Sequence, residues 1–221
     1  MSITELAADA WRLTADRPRA ALGVAGPPGA GKSTLAKALV AEVDARHGPG
    51  SAAYLPLDGF HLSNAQLARL GLTDRKGSAP SFDVWGYVEL LRRVLAEAGP
   101  TGREVYVPDY DRTLHEPVAA RHLVPPSARL VVTEGNYLAC DEPGWRDARG
   151  LLAEVWYLET ADEVRQGRLL ERQRNGGRDE AAARAWVQGN DHPNGERVKV
   201  SRPNCDRILP TVGLDMTNGR Y

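Results

Sequence analysis

Residues 26–33 read GPPGAGKS, which sets Gly26, four residues, Gly31, Lys32 and Ser33 in one short loop. Gly26, Gly29 and Gly31 free the backbone to curl, so that its amides, that of Ala30 among them, face phosphate oxygens. The helix expected to follow adds partial positive charge at its N-terminus. Lys32 is placed to reach the β and γ phosphates of a nucleotide, as a catalytic as well as a binding group. Ser33 supplies a hydroxyl ligand for magnesium, and Thr34 can donate to a neighbouring phosphate. The flanks fit: apolar Ala21-Leu22-Gly23-Val24-Ala25 comes before the loop, and KSTLAKALVAEVDARH, closed by Gly48-Pro49, comes after.

Small-molecule kinases, GTPase switches and transport ATPases share such a loop. The chain holds neither an Asn/Thr-Lys-x-Asp guanine reader nor an LSGGQ-like segment. A kinase needs a carboxylate at the acceptor hydroxyl, an acid that supports magnesium, and cations over the transferred phosphoryl group. Asp58, at the end of LPLDGFH, suits the first task, and Glu134, ending LVVTEGNYL, the second. Arg168, Arg172 and Arg174 crowd a charged helix, the first two on one face, and suit the third, as a lid. A nucleotide-binding regulatory protein that turns over little or no acceptor is the alternative.

These residues need a scaffold that brings strand ends together. Apolar runs at 52–57, 105–107, 130–132 and 155–158 stop at Asp58-Gly59, Pro108-Asp109, Thr133-Glu134-Gly135 and Thr160, with helical segments between them. That alternation predicts an α/β fold with a parallel sheet covered on both faces, its ligands bound beyond the strand C-termini. Ser2-x-x-Glu5 and Thr160-x-x-Glu163 read as capping boxes, and Asp83 as the cap of a helix bearing Val84, Val88, Leu91 and Val94. The 221 residues suit a single domain over 1–221.

With 28 Lys+Arg against 29 Asp+Glu, the net charge of −1 gives no global basic field, so neither nucleic acid nor a membrane surface is expected as a partner. Cys140 and Cys205 lie far apart without metal-site spacing, which fits a reducing compartment. The acid-bearing start MSITELAADAWRL is unlike an export signal, and a cytoplasmic location follows as the expectation. A homodimer is allowed for.

In order and spacing, GPPGAGKS, LDGFHLSNAQLARLGLTDRKGSAPSFD, VPDYDRTLHEP and VVTEGNYL resemble the pantothenate kinase, uridine kinase and phosphoribulokinase group. The likeness spans most of residues 20–210. It is closest to the nucleoside- or fructose-kinase-like branch of that group. It implies a P-loop fold with a five-stranded parallel core, ATP and Mg2+ as cofactors, and transfer of the γ-phosphoryl group to a hydroxyl of a small metabolite, whether nucleoside, sugar or pantothenate-like. Asp58 becomes the general base, Glu134 the magnesium-associated acid, and Arg168 or Arg172 the lid cation. His61, Lys76, Asp83, Tyr110 and Arg112 fall at substrate-facing positions. Segments of about 59–85 and 108–124 form the acceptor pocket, about 161–180 the lid, and Arg202 stacks on adenine in a C-terminal segment that closes the ATP side. The third segment reads VPDYDR where pantothenate kinase has a Tyr-Ser-His form, which leaves the acceptor open.

Overall fold

A computed structural model describes residues 1–211. Five strands form a parallel sheet in the order β2-β5-β1-β6-β7. These are β1 (Ala20–Ala25), β2 (Ala52–Pro56), β5 (Leu130–Gly135), β6 (Glu154–Glu159) and β7 (Arg207–Pro210). Every residue of β1 and β5 is buried, as befits strands covered on both faces. One face packs against α1 (Ile3–Arg12) and α2 (Lys32–His47), with Leu6, Leu35, Leu39 and Trp156 in its core. The other face carries α4 (Val84–Ala96) and α5 (Trp145–Arg149), with Tyr87, Leu91, Tyr137 and Trp145.

Local chemistry sets the ends of these helices. Ser2 and Glu5 cap α1 reciprocally, as their spacing predicts. Asp83 accepts from the Gly86 amide at 2.9 Å and starts α4, which buries Tyr87, Val88, Leu91 and Val94 along one face. Thr160 forms no capping box. Its hydroxyl donates to the Ala30 carbonyl at 3.0 Å, and the helix starts one residue later, with Ala161 at its cap and no side chain on its first amides.

The run at 105–107 does not join the parallel sheet. It belongs to β3 (Val105–Asp111), which pairs antiparallel with β4 (Glu116–Val124) as a separate hairpin. Pro108 cannot donate to the ladder, and the register shifts between Val107 and Asp109 rather than the strand ending there. Gly59 allows this hairpin to approach: a Cβ at that position would lie 2.3 Å from the Pro108 carbonyl oxygen.

At the opposite end of the sheet, buried Arg19 fastens three segments. Its guanidinium donates to the carbonyls of Ala128 (2.6 Å), Pro125 (2.7 Å), Pro126 (3.1 Å) and Val94. The remaining helices are α3 (Asn64–Leu70), α6 (Asp162–Asn175), α7 (Glu180–Trp186) and α8 (His192–Val200). Among the described residues no helix is long and apolar enough to cross a membrane.

Candidate active site

The phosphate loop joins β1 to α2. Gly26 has φ +148°, and a Cβ on it would lie 2.8 Å from the Leu158 carbonyl oxygen of β6, so the loop's first turn has room for glycine only. Lys32 is the first residue of α2 and is buried. Its ammonium donates to the Pro27 carbonyl (3.1 Å) and to Asn136 Oδ1 (2.7 Å). Burial lowers its pKa to about 8, against the opposing pull of Glu134 and Asp58.

Ser33 donates its hydroxyl to Glu134 Oε1 at 3.1 Å, and the Tyr54 hydroxyl donates to the same oxygen at 2.9 Å. Glu134 is buried at the end of β5, between β1 and β2. Burial and then repulsion from Asp58 raise its pKa above the usual carboxylate range. Glu134 therefore stands between the phosphate loop and Asp58, an adjacency set by the strand order.

Arg168 on α6 donates to the carbonyls of Gly29 and Ala30, both at 3.2 Å, so it braces the loop. Buried Arg165, which the sequence reading did not single out, does the same at Pro28 (3.0 Å) and pairs with Asp162 (2.7 Å). Arg172 lines the same cleft, and among the described residues no side chain pairs with its guanidinium. Arg174 instead pairs with Glu180 at 3.4 Å.

Asp58 sits in a single 3₁₀ turn, Leu57–Phe60, directly after β2. Its Oδ2 accepts from Arg112 Nη2 at 3.3 Å, and its backbone carbonyl accepts from His61 Nδ1 at 2.8 Å. Burial pushes its carboxyl up, but His61, Arg112, Arg172 and Lys32 together outweigh that, and its pKa is lowered. The pKa of His61 is lowered by burial, which outweighs the attraction of Asp58. Where that ring is neutral, Arg112, Arg172 and Lys32 are the charges that favour the Asp58 carboxylate.

Asp58, His61, Lys76, Tyr110 and Arg112 line one cleft with Lys32, Ser33, Thr34 and Glu134, of about 950 Å³. Asp83 is not brought there: it is exposed, and its carboxylate is the α4 cap. Arg202 lies on the other side of the loop, in a pocket of about 500 Å³ with Pro27, Thr160 and Lys199, and pairs with Glu159 at 2.9 Å. Asn136, Tyr54, His115 and Trp186 escaped the sequence reading. For Asn136 a signal existed, since it follows Glu134 by two in EGNYL, on the same strand end.

A glycine loop at the head of the sheet, a buried lysine, and acids at neighbouring strand ends are the parts of a P-loop nucleotide site. The chain is 33% identical over 178 residues to a uridine kinase-like protein of Schizosaccharomyces pombe, covering 77% of this chain and 73% of that one. It is 35% identical over 199 residues to the uncharacterised Escherichia coli protein YggC, covering 88% and 77%. Its fold matches the crystal structure of a fructose transport system kinase-like protein from a Silicibacter species, with a TM-score of 0.84, 33% identity, and coverage of 95% of this chain and all of that one. No family model matches the sequence. The chain belongs to the P-loop kinase group that includes uridine kinase-like, pantothenate kinase and phosphoribulokinase proteins.

Proposed function

We propose that the protein is an ATP-dependent kinase that transfers the γ-phosphoryl group to a hydroxyl of a small metabolite, with Asp58 as general base. The observation that carries this reading is the Asp58 carboxylate, bonded to Arg112 and in the same cleft as Lys32, Ser33 and Glu134.

The loop amides and Lys32 would hold the β and γ phosphates, with Arg168 and Arg172 over them. The base of the nucleotide would lie toward the pocket at Arg202, beyond Pro27. Magnesium suits the Ser33 hydroxyl and the Glu134 carboxylate, which are hard oxygen donors 3.1 Å apart. The described residues hold no cluster of three His, Cys, Asp or Glu that could bind a metal by itself, as fits an ion that keeps most of its waters and phosphate ligands. When bound, ATP and magnesium supply the transferable phosphoryl group and neutralise its developing charge. Asp58 orients the acceptor hydroxyl in line and takes its proton; Arg112 holds that carboxylate, and His61 bonds to the backbone carbonyl of the same residue.

The test measures ADP formation with pantothenate, nucleosides and ketohexoses as acceptors, for the protein and for Asp58→Asn. Acceptor-dependent turnover that falls on the order of 10³-fold in the variant, with ATP binding kept, is the expected result. Turnover undiminished in Asp58→Asn removes it from the base role, and no acceptor dependence in the parent protein favours a nucleotide-binding regulator.

A further inference from the structure

Away from the phosphate loop, the cleft holds positive charge that the protein leaves largely uncompensated. Lys76, Arg112 and Arg178 line it there. Only Arg112 has a carboxylate within ion-pair distance, the long single contact to Asp58. The Lys76 ammonium has three donors, and two go to uncharged acceptors, Asn64 Oδ1 at 2.6 Å and the His115 carbonyl. Arg178 stacks on the Trp186 ring at 4.1 Å and donates Nε to Gln173 Oε1 at 3.0 Å; among the described residues its two terminal nitrogens have no hydrogen-bond partner. Elsewhere the chain neutralises such groups directly, as in Arg149–Asp141 (2.6 Å), Arg197–Glu142 (2.5 Å) and Arg207–Asp9 (2.6 Å).

Acids nearby offset this charge from a distance, Asp191 acting on Arg178 and Glu116 on Lys76, but among the described residues neither cation has a carboxylate within ion-pair distance. Glu116 acts on Lys76 but does not line the cleft, and its carboxylate accepts from the Asn64 amide at 3.0 and 3.1 Å. Asp191 lines the cleft, where burial raises its pKa, and it accepts from Gln173 Nε2 at 3.3 Å. Glu171 lines it on α6, beside Arg172. Lys32 and Arg168 are already bonded to the phosphate loop, so the other three cations are not needed to shape it.

A chain of contacts also links the two ends. His61 bonds to the backbone of Asp58, its ring lies 4.9 Å from that of Tyr110, and the Tyr110 ring lies 5.0 Å from the Lys76 ammonium. The geometry points to an acceptor that is itself an anion: a hydroxyl compound bearing a phosphate or a carboxylate, its hydroxyl at Asp58 and its charged group held by Lys76, Arg112 and Arg178. This rests on the kinase reading above and narrows its substrate class. The two rings, His61 and Tyr110, provide the surface along which the carbon skeleton lies between those ends.

Matched pairs test it: a pentose or ketohexose against its terminal phosphate ester, and pantothenate against the alcohol that replaces its carboxylate. Binding is measured by calorimetry in the presence of a non-hydrolysable ATP analogue, and turnover as ADP formation. The charged member of at least one pair is expected to bind about tenfold or more tighter than its neutral twin, and the pair that responds identifies phosphate or carboxylate. Lys76→Gln should abolish most of that preference and Lys76→Arg should keep it; Arg178→Gln, an exposed change, gives a second reading if the first variant folds poorly. Equal binding of charged and neutral members, binding of none, or a preference untouched by both Lys76→Gln and Arg178→Gln overturns the proposal. Anion binding without any turnover leaves the anion site standing and removes the kinase reading instead.

Discussion

The two ends of the cleft are built differently. At the phosphate end, the protein's own atoms already engage the groups that would meet a nucleotide: Lys32 is bonded to Pro27 and Asn136, Ser33 to Glu134, Arg168 to Gly29 and Ala30. At the acceptor end, side chains from the turn after β2, the segment after α3, the β3–β4 hairpin and the connection between α6 and α7 line the cleft with donors to spare. The first is pre-organised, so little rearrangement is required when phosphate arrives. The second is a set of charges held apart until a ligand joins them. A common donor and a variable acceptor call for that division.

Three measurements can break or sharpen this contrast. The largest effect is expected from Lys32→Met, which removes the only charge that the loop itself directs at the phosphates; turnover should fall on the order of 10³-fold and ATP binding with it. A loss confined to the acceptor KM would show that the two ends are not separable. Asn136→Ala leaves the loop intact but unties Lys32, and should weaken ATP binding about tenfold, the scale of one charge-assisted hydrogen bond. Unchanged ATP affinity in that variant would mean that the loop shapes itself without outside support.

The smallest effect concerns pH. Lys32 has its pKa lowered to about 8, so it is charged below that value and loses its proton above it in the free protein. ATP affinity should therefore fall as pH rises past about 8, by up to roughly tenfold per pH unit, because binding then has to take up a proton. Calorimetry between pH 7 and 9.5 reads this directly, and a flat profile removes the buried-lysine account. The same property acts on folding with the opposite sense. A lysine whose folded pKa is depressed contributes stability that grows between about 8 and the ordinary 10.5.

The phosphate loop, the parallel sheet and the Asp58–Glu134 pairing were legible because each rests on local pattern: glycine spacing, apolar runs, acids at strand ends. The strand order was not legible, and it alone sets Glu134 between Asp58 and the loop. The hairpin was misread for a related reason. Val105-Tyr106-Val107 looks like a core strand, yet Tyr106 is more than half exposed, and Pro108 turns what reads as a terminus into a bulge. Thr160 shows the limit of spacing arguments, since a tertiary acceptor on Ala30 outcompeted the local amide. Asp83 was read both as a helix cap and as a substrate-facing group, and the contact it makes is the cap. Asn190 and Asn194 are internal: the first donates to the Lys76 carbonyl at 2.8 Å and the second to Asn190 Oδ1 at 3.3 Å.

Arg19 has a consequence for how the molecule meets acid. A guanidinium bonded to four carbonyls has no titrating acceptor, Glu97 acting on it only at a distance, so the bonds that join α4, the segment before β5 and β1 are not protonated away as pH falls. The link between α6 and α8 is of the other kind. Asp162 bonds to Lys199 (2.6 Å) and Arg165 (2.7 Å), which lower its pKa from 3.8 to about 2. Its contribution is complete above about 3.8 and lost as pH falls through about 2. Acid therefore weakens the link between α6 and α8 while the bonds at the far end of the sheet are kept.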